Sequence, residues 1–179
     1  ITSYTHHAHL LAILETQEDT LEWIFSNYIQ IYINTDLSRN SWGDFYFPMP
    51  YEIKEAELCK WIYTQKQKDS VVDKRYEDIV EFLIDAIEDD SYIHLMVNYK
   101  YISKSRCFGI DRSHDIMVYG YDEEKQKLYC ADFFFKTGSY EFSECTYDEF
   151  RLAYKYAYHS GTSLYLKHYI YTYRLNKSC

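Results

Sequence analysis

The stretch that most constrains this chain is "SHDIMVYGYDEEKQKLYCADFFF", residues 113–135. Two runs of β-branched and aromatic residues flank the polar pentapeptide "DEEKQ", the pattern of an antiparallel hairpin. "SYIHLMVNYKYI" before it and "SYEFSE" after it read as further strands, so the middle of the chain is a β-meander. Helical periodicity precedes it. His7, Leu10, Leu11 and Leu14 repeat at i, i+3, i+4, i+7, and "TQEDTLEWIFSNYIQIYI" continues as a second helix with Asp19 or Thr20 as cap. "KRYEDIVEFLIDAIED", residues 74–89, is read as one amphipathic helix. Pro48 and Pro50 make "SRNSWGDFYFPMPYE" irregular. After the meander, "TYDEFRLAYKYAYH" returns to helix, with Thr146 and Glu149 as a capping box. The period of "GTSLYLKHYIYTYRL" fits a strand or a helix. Helices, then a meander, then a helix describe an α+β domain rather than alternating βαβ units.

The 28 acidic against 19 basic side chains, a net charge of −9, disfavour non-specific nucleic-acid binding and anionic membranes. No run reaches the roughly 18 apolar residues of a membrane span, and "ITSYTHHAHLLAIL" lacks the basic start and small-residue cleavage site of a signal peptide. Cys59, Cys107, Cys130, Cys145 and Cys179 are odd in number and widely spaced, which fits free thiols in a reducing cytoplasm.

His114 opens the first hairpin run and Asp132 closes the second. Counting inward from 118 and 128 brings 114 and 132 close to register, where the carboxylate would fix the imidazole tautomer and leave the other nitrogen as a general base. Asp115 alternates to the other face, and Asp122 belongs to the turn. A structural alternative is that Asp132 caps a turn and His114 bonds the backbone. His6 and His9, at i, i+3, have no third ligand indicated nearby, so no metal site is expected. Cys107 and Cys59 do not sit at evident helix starts, and Cys130 and Cys145 read as small buried apolar residues. A nucleophile served by the pair would sit best at a helix N-terminus. The residue at the mouth of the first helix is Thr5.

Three segments, "YTHHAHLLAIL", "HDIMVYGYD" and "LYCADFF", together resemble the butirosin-biosynthesis-protein-H type of cysteine-peptidase-like domain, related to bacteriocin-processing peptidases. Thr5, His7 and Leu10 fall on that family's Cys-x-His-x-x-Leu segment. His114, Val118, Gly120, Tyr121 and Asp122 fall on its His-x-x-x-Val-x-Gly-Tyr-Asp strand, and Asp132 falls on the Asp of the next strand. "FSNYIQIY", "WGDFYFPMPYE" and "CKWI" also resemble members found in nonribosomal-peptide and polythioamide gene clusters. The resemblance implies a papain-like α+β fold, with a helical N-terminal part packed on an antiparallel sheet, in a single domain over 1–179 open to truncation at either end. It implies a Cys-His-Asp type acyltransferase or amide synthetase in the cytoplasm of a bacterium, with Thr5, His114 and Asp132 as the catalytic set. The acyl donor would be a thioester on the phosphopantetheine arm of an acyl or peptidyl carrier protein. The acceptor would be a small or carrier-bound amine, and no further cofactor is expected. A basic stretch of Lys100, Lys104, Arg106 and Arg112, just before His114, would dock the carrier. The alternatives are a cysteine-type peptidase and a catalytically inactive binding module. Thr5 stands where the family keeps Cys, which leaves three accounts: an engineered trapped variant, a natural member that now only binds, or Thr5 itself as the nucleophile.

Overall fold

Residues 113–132 fold as the expected hairpin and extend into a six-stranded antiparallel sheet. A computed structural model describes residues 5–28, 31–33, 43–45, 56, 59–133, 138–158 and 168–177. The sheet comprises β3 (Ile62–Lys68), β4 (Ser91–Asn98), β5 (Ser113–Asp122), β6 (Lys127–Asp132), β7 (Glu141–Thr146) and β8 (Tyr169–Leu175), in the order β3-β8-β4-β5-β6-β7. β1 (Ile31–Ile33) and β2 (Gly43–Phe45) form a separate antiparallel pair. The helices are α1 (Thr5–Leu14), α2 (Leu21–Tyr28), α3 (Asp69–Arg75), α4 (Ile79–Glu88) and α5 (Tyr147–Lys155). The mixed α+β reading therefore holds.

Side-chain alternation divides the sheet into two faces, each with its own core. Ile93, Leu95, Val97, Ile116, Val118, Leu128 and Cys130 pack against Val80, Phe82 and Leu83 of α4 and Phe150 and Ala153 of α5. On the other face Met96, Met117, Ala131, Tyr171 and Tyr173 meet Leu10, Leu11, Ile13 and Leu14 of α1. The result is three layers: α4 and α5, the sheet, and α1 with α2. β4 lies inside the sheet and is buried over Ile93–Asn98, which explains its almost unbroken apolar sequence. Each leucine or isoleucine buried this way contributes about 1.5–3 kcal/mol of transfer free energy.

The helices differ from expectation where local capping overrides periodicity. The stretch 74–89 is not one helix. α3 ends at Arg75, Tyr76 turns extended, and Asp78 caps α4 by accepting a hydrogen bond from the Val80 amide. The second helix stops at Tyr28, and "IYI" becomes strand β1. Thr146 and Glu149 form the capping box at the start of α5, as expected. Of the ambiguous C-terminal segment, residues 169–175 form strand β8, inserted between β3 and β4, and residues 161–167 lie outside the described residues. Most of "SRNSWGDFYFPMPYE" lies outside the described residues, and β2 falls within it.

Candidate functional site

His114 is the second residue of β5 and Asp132 the last of β6. The sequence count put them close to register, and they stand near each other but off it. Met117 pairs with Ala131 and Val118 with Cys130, and the register then shifts so that Gly120 pairs with Tyr129. The extra residue is Tyr119, a one-residue bulge. Continued toward His114, this register leaves Asp132 two residues away along the ladder, a diagonal that long side chains span. The contact forms: His114 Nδ1 lies 3.1 Å from Asp132 Oδ2.

The two partners differ in exposure, and the difference matters. The Asp132 side chain is fully buried, whereas 30% of the His114 side chain remains accessible. Burial pushes the Asp132 carboxyl well above the usual carboxylate range, against a lowering hydrogen bond from the Phe133 backbone. A bare carboxylate is disfavoured there, so a hydrogen bond from His114 Nδ1–H stabilises the buried group. In that tautomer Nε2 is left to accept a proton. Tyr99 lies beside the imidazole, with ring centroids 5.5 Å apart.

The expectation that Asp115 would point away from His114 is overturned. Its Oδ1 lies 3.3 Å from His114 Nδ1 and its backbone oxygen 3.0 Å. At a strand end the imidazole folds back toward its own neighbour, and alternation no longer separates them. Asp115 Oδ2 in turn lies 2.9 Å from Nε2 of the buried His94, whose Nδ1 is 3.0 Å from the Tyr173 hydroxyl. Burial alone would raise the Asp115 carboxyl. The His94 hydrogen bond and the charges of His114, His94 and His9 outweigh it and hold the group below the usual carboxylate range. Asp122 ends β5 and takes a hydrogen bond from the Lys125 amide, as a turn residue would.

α1 adds a second imidazole to the same region. His9 is fully buried, its ring 4.6 Å from that of His94 at 74°. Its Nδ1 is 2.7 Å from the Tyr140 hydroxyl, and its buried Nε2 has no hydrogen-bond partner among the described residues. Ligand atoms of His9, His94 and Asp115 all lie within 4.8 Å of one another. These are the residues that could hold a metal ion. The sequence paired His9 with His6; the fold instead brings it to residues of β4 and β5, a juxtaposition that no local spacing announces.

Thr5 is buried and opens α1, which packs on β5 and β6. Among the described residues no hydrogen bond joins its hydroxyl to His114. The structure thus brings two of the three expected catalytic residues into contact and places the third at the start of the adjoining helix. Cys59, Cys107, Cys130 and Cys145 are buried free thiols. Cys130 and Cys145 face each other, with sulfurs 3.8 Å apart. A cleft of about 430 Å³ lies between α3 and α5, lined by Asp73, Glu77, Arg151 and Tyr154 among others, and includes neither His114 nor Asp132.

The basic stretch before His114 is partly neutralised. Lys104 lies 2.8 Å from Glu144, which also takes Lys127 at 2.7 Å. Phe108 and Ile110 stand exposed in the same loop. No helix among the described residues is long and apolar enough to cross a membrane. No protein family, no curated protein and no solved structure matches the chain.

Proposed function

We propose that this domain is a papain-like acyltransferase that moves an acyl group from a carrier-protein thioester to an amine. The observation that carries the reading is the His114–Asp132 contact, which couples a buried orienting carboxyl to a partly exposed imidazole. Such a pair does proton transfer for a nucleophile or a leaving group. Further support comes from α1, which lies across the two strands that bear the pair and starts at residue 5.

The side chain at position 5 attacks the thioester carbonyl and gives its proton to His114. The imidazolium passes that proton to the departing pantetheine thiolate, leaving the acyl group on residue 5. An amine then attacks this carbonyl, His114 takes the ammonium proton and returns it to the side chain of residue 5, and the amide leaves. Asp132 holds the imidazole and offsets its charge. Amide groups at the first turn of α1 are suited to receive the oxyanion. A thiol is the better nucleophile at this position, because a hydroxyl is far less acidic and threonine's β-branch restricts its approach. Arg106, Arg112, Phe108 and Ile110 on the loop before β5 offer a mixed basic and apolar surface for an acidic carrier protein.

Intact-mass spectrometry tests this. The wild-type chain and Thr5→Cys are each incubated with an acylated carrier protein, with and without an amine. Acyl transfer predicts an acyl adduct on Thr5→Cys that disappears as amide forms when amine is added. Cleavage of a plain peptide with no thioester supplied would favour a peptidase. Absence of adduct and of thioester consumption in both proteins would leave a binding module and overturn the reading.

A further inference from the structure

We propose that His9, His94 and Asp115 form a binding site for a divalent transition-metal ion, with both imidazoles buried and Zn2+ the best match to the donors. The site ties α1 to β4 and β5 on the face of the sheet opposite α4 and α5. Asp115 also touches His114, but the site does not rest on acyl transfer, and failure of either proposal leaves the other intact.

Three observations point to an ion rather than to a closed hydrogen-bond network. The first is the proximity of the donors: one nitrogen or oxygen from each residue lies within 4.8 Å of the other two. Zinc bonds of about 2.0–2.1 Å in tetrahedral geometry separate neighbouring donors by about 3.3 Å. Closing the trio onto an ion therefore needs a contraction of about 1.5 Å at most, within the reach of side-chain rotation.

The second is the unpartnered atom. His9 is fully buried, its Nδ1 is engaged by Tyr140, and its Nε2 meets no partner among the described residues. A polar atom sealed in this way is costly, and an ion beside it would remove that cost.

The third is how the rings are held. Tyr140 engages Nδ1 of His9 and Tyr173 engages Nδ1 of His94. Both imidazoles are therefore fixed through Nδ1. Metal-ligating histidines are commonly oriented in this way by an outer partner on the far nitrogen. His94 Nε2 lies at hydrogen-bond distance from Asp115 Oδ2, 2.9 Å, and the two would part by about 0.4 Å to share an ion. On binding, the single ring proton of His94 shifts from Nε2 to Nδ1, where the Tyr173 hydroxyl accepts its hydrogen bond, and Nε2 is left to the ion with no proton lost. The other oxygen, Asp115 Oδ1, keeps its contact with His114. Two imidazoles and one carboxylate are a borderline donor set that suits Zn2+ and Co2+ over Mg2+ or Ca2+.

The test uses the full chain, stripped with chelator and titrated with Co2+. The expected result is one equivalent bound, with intense visible absorption of a four- or five-coordinate ion, bleached by Zn2+. Zn2+ should also raise the melting temperature of the stripped protein, and His94→Gln should abolish stoichiometric binding. Tyr173→Phe leaves all three donors in place and should weaken affinity about 10–100-fold, so it decides the matter even if His94→Gln fails to fold. His6→Ala should bind as the wild type does. Failure of the wild type to bind one equivalent, full affinity in Tyr173→Phe, or binding lost in His6→Ala would overturn the site.

Discussion

His114 and Asp132 meet on a diagonal, not face to face: the carboxyl reaches the imidazole nitrogen at 3.1 Å across a ladder whose register has shifted by one residue at Tyr119. The bulge lies in the same strand as His114 and sits between the pair and the turn. The geometry of the candidate site therefore depends on backbone several residues away from it.

Gly120, the residue after the bulge, tests that dependence. A Cβ built at this position would lie 3.1 Å from Cδ2 of Tyr129, closer than ordinary contact. The Tyr129 ring must give way, and it already stacks on Tyr119. Gly120→Ala is expected to cost about 1 kcal/mol, at the low end of overpacking, and to lower the melting temperature by about 2–4 °C. Any activity attributed to His114 should fall with it. A melting temperature equal to the wild type would show that the ring yields freely.

Asp132→Asn has a pH signature. Burial raises the carboxyl pKa in the folded chain, so over a window above the ordinary carboxylate value the folded state holds more protons than the unfolded one. Asp132 thus stabilises most fully below that ordinary value, and its contribution declines as pH rises toward the folded pKa. The slope is at most about 1.4 kcal/mol per pH unit. Asparagine lacks this term. Chemical denaturation at pH 4.5, 5.5 and 6.5 should therefore show the variant gaining on the wild type as pH rises. A constant difference across the series would count against a neutral-leaning Asp132.

Much of the fold can be read from local pattern because local forces decide it. α1, the hairpin and the α5 capping box all follow from periodicity or from residue types at fixed spacing. β3 is hidden because its sequence, "IYTQKQK", is that of an edge strand whose lysines and glutamines meet solvent. The break between α3 and α4 is local too, but the Asp78 cap competes with an apolar repeat that runs straight through it. The candidate site divides in the same way. His114 and Asp132 lie 18 residues apart on one hairpin, and their contact is legible from turn length even though the register is not. His9, His94 and Asp115 come from three elements, and only tertiary packing makes them neighbours.

Docking electrostatics give a third test. Lys104 is exposed and paired with Glu144, whose carboxyl is lowered to about 2 by Lys104 and then Lys127. Lys104 is thus less available to an acidic carrier than the sequence implies, and Arg106 should matter more. In a binding titration at low salt, Arg106→Glu should weaken an acidic carrier protein more than Lys104→Glu does. Glu144→Gln, which releases Lys104, should strengthen it, and all three effects should shrink at high salt. Equal binding by all variants would remove the carrier from this surface.

The nucleophile position allows a chemical test that needs no substrate. Thr5→Cys puts a thiol at the first residue of α1, where the helix dipole favours the thiolate and, on the proposed mechanism, His114 does too. The native cysteines make a quiet background. Cys59, Cys107, Cys130 and Cys145 are all buried, and burial pushes the Cys130 thiol well up. Cys179 lies outside the described residues, so Cys179→Ser is the sensible parent. At pH 7 the new thiol should react with iodoacetamide at least tenfold faster than any other, and adding His114→Ala should remove most of that advantage. A rate that His114→Ala leaves unchanged would mean that the imidazole does not reach residue 5. The His114–Asp132 pair would then need a different substrate group to act on.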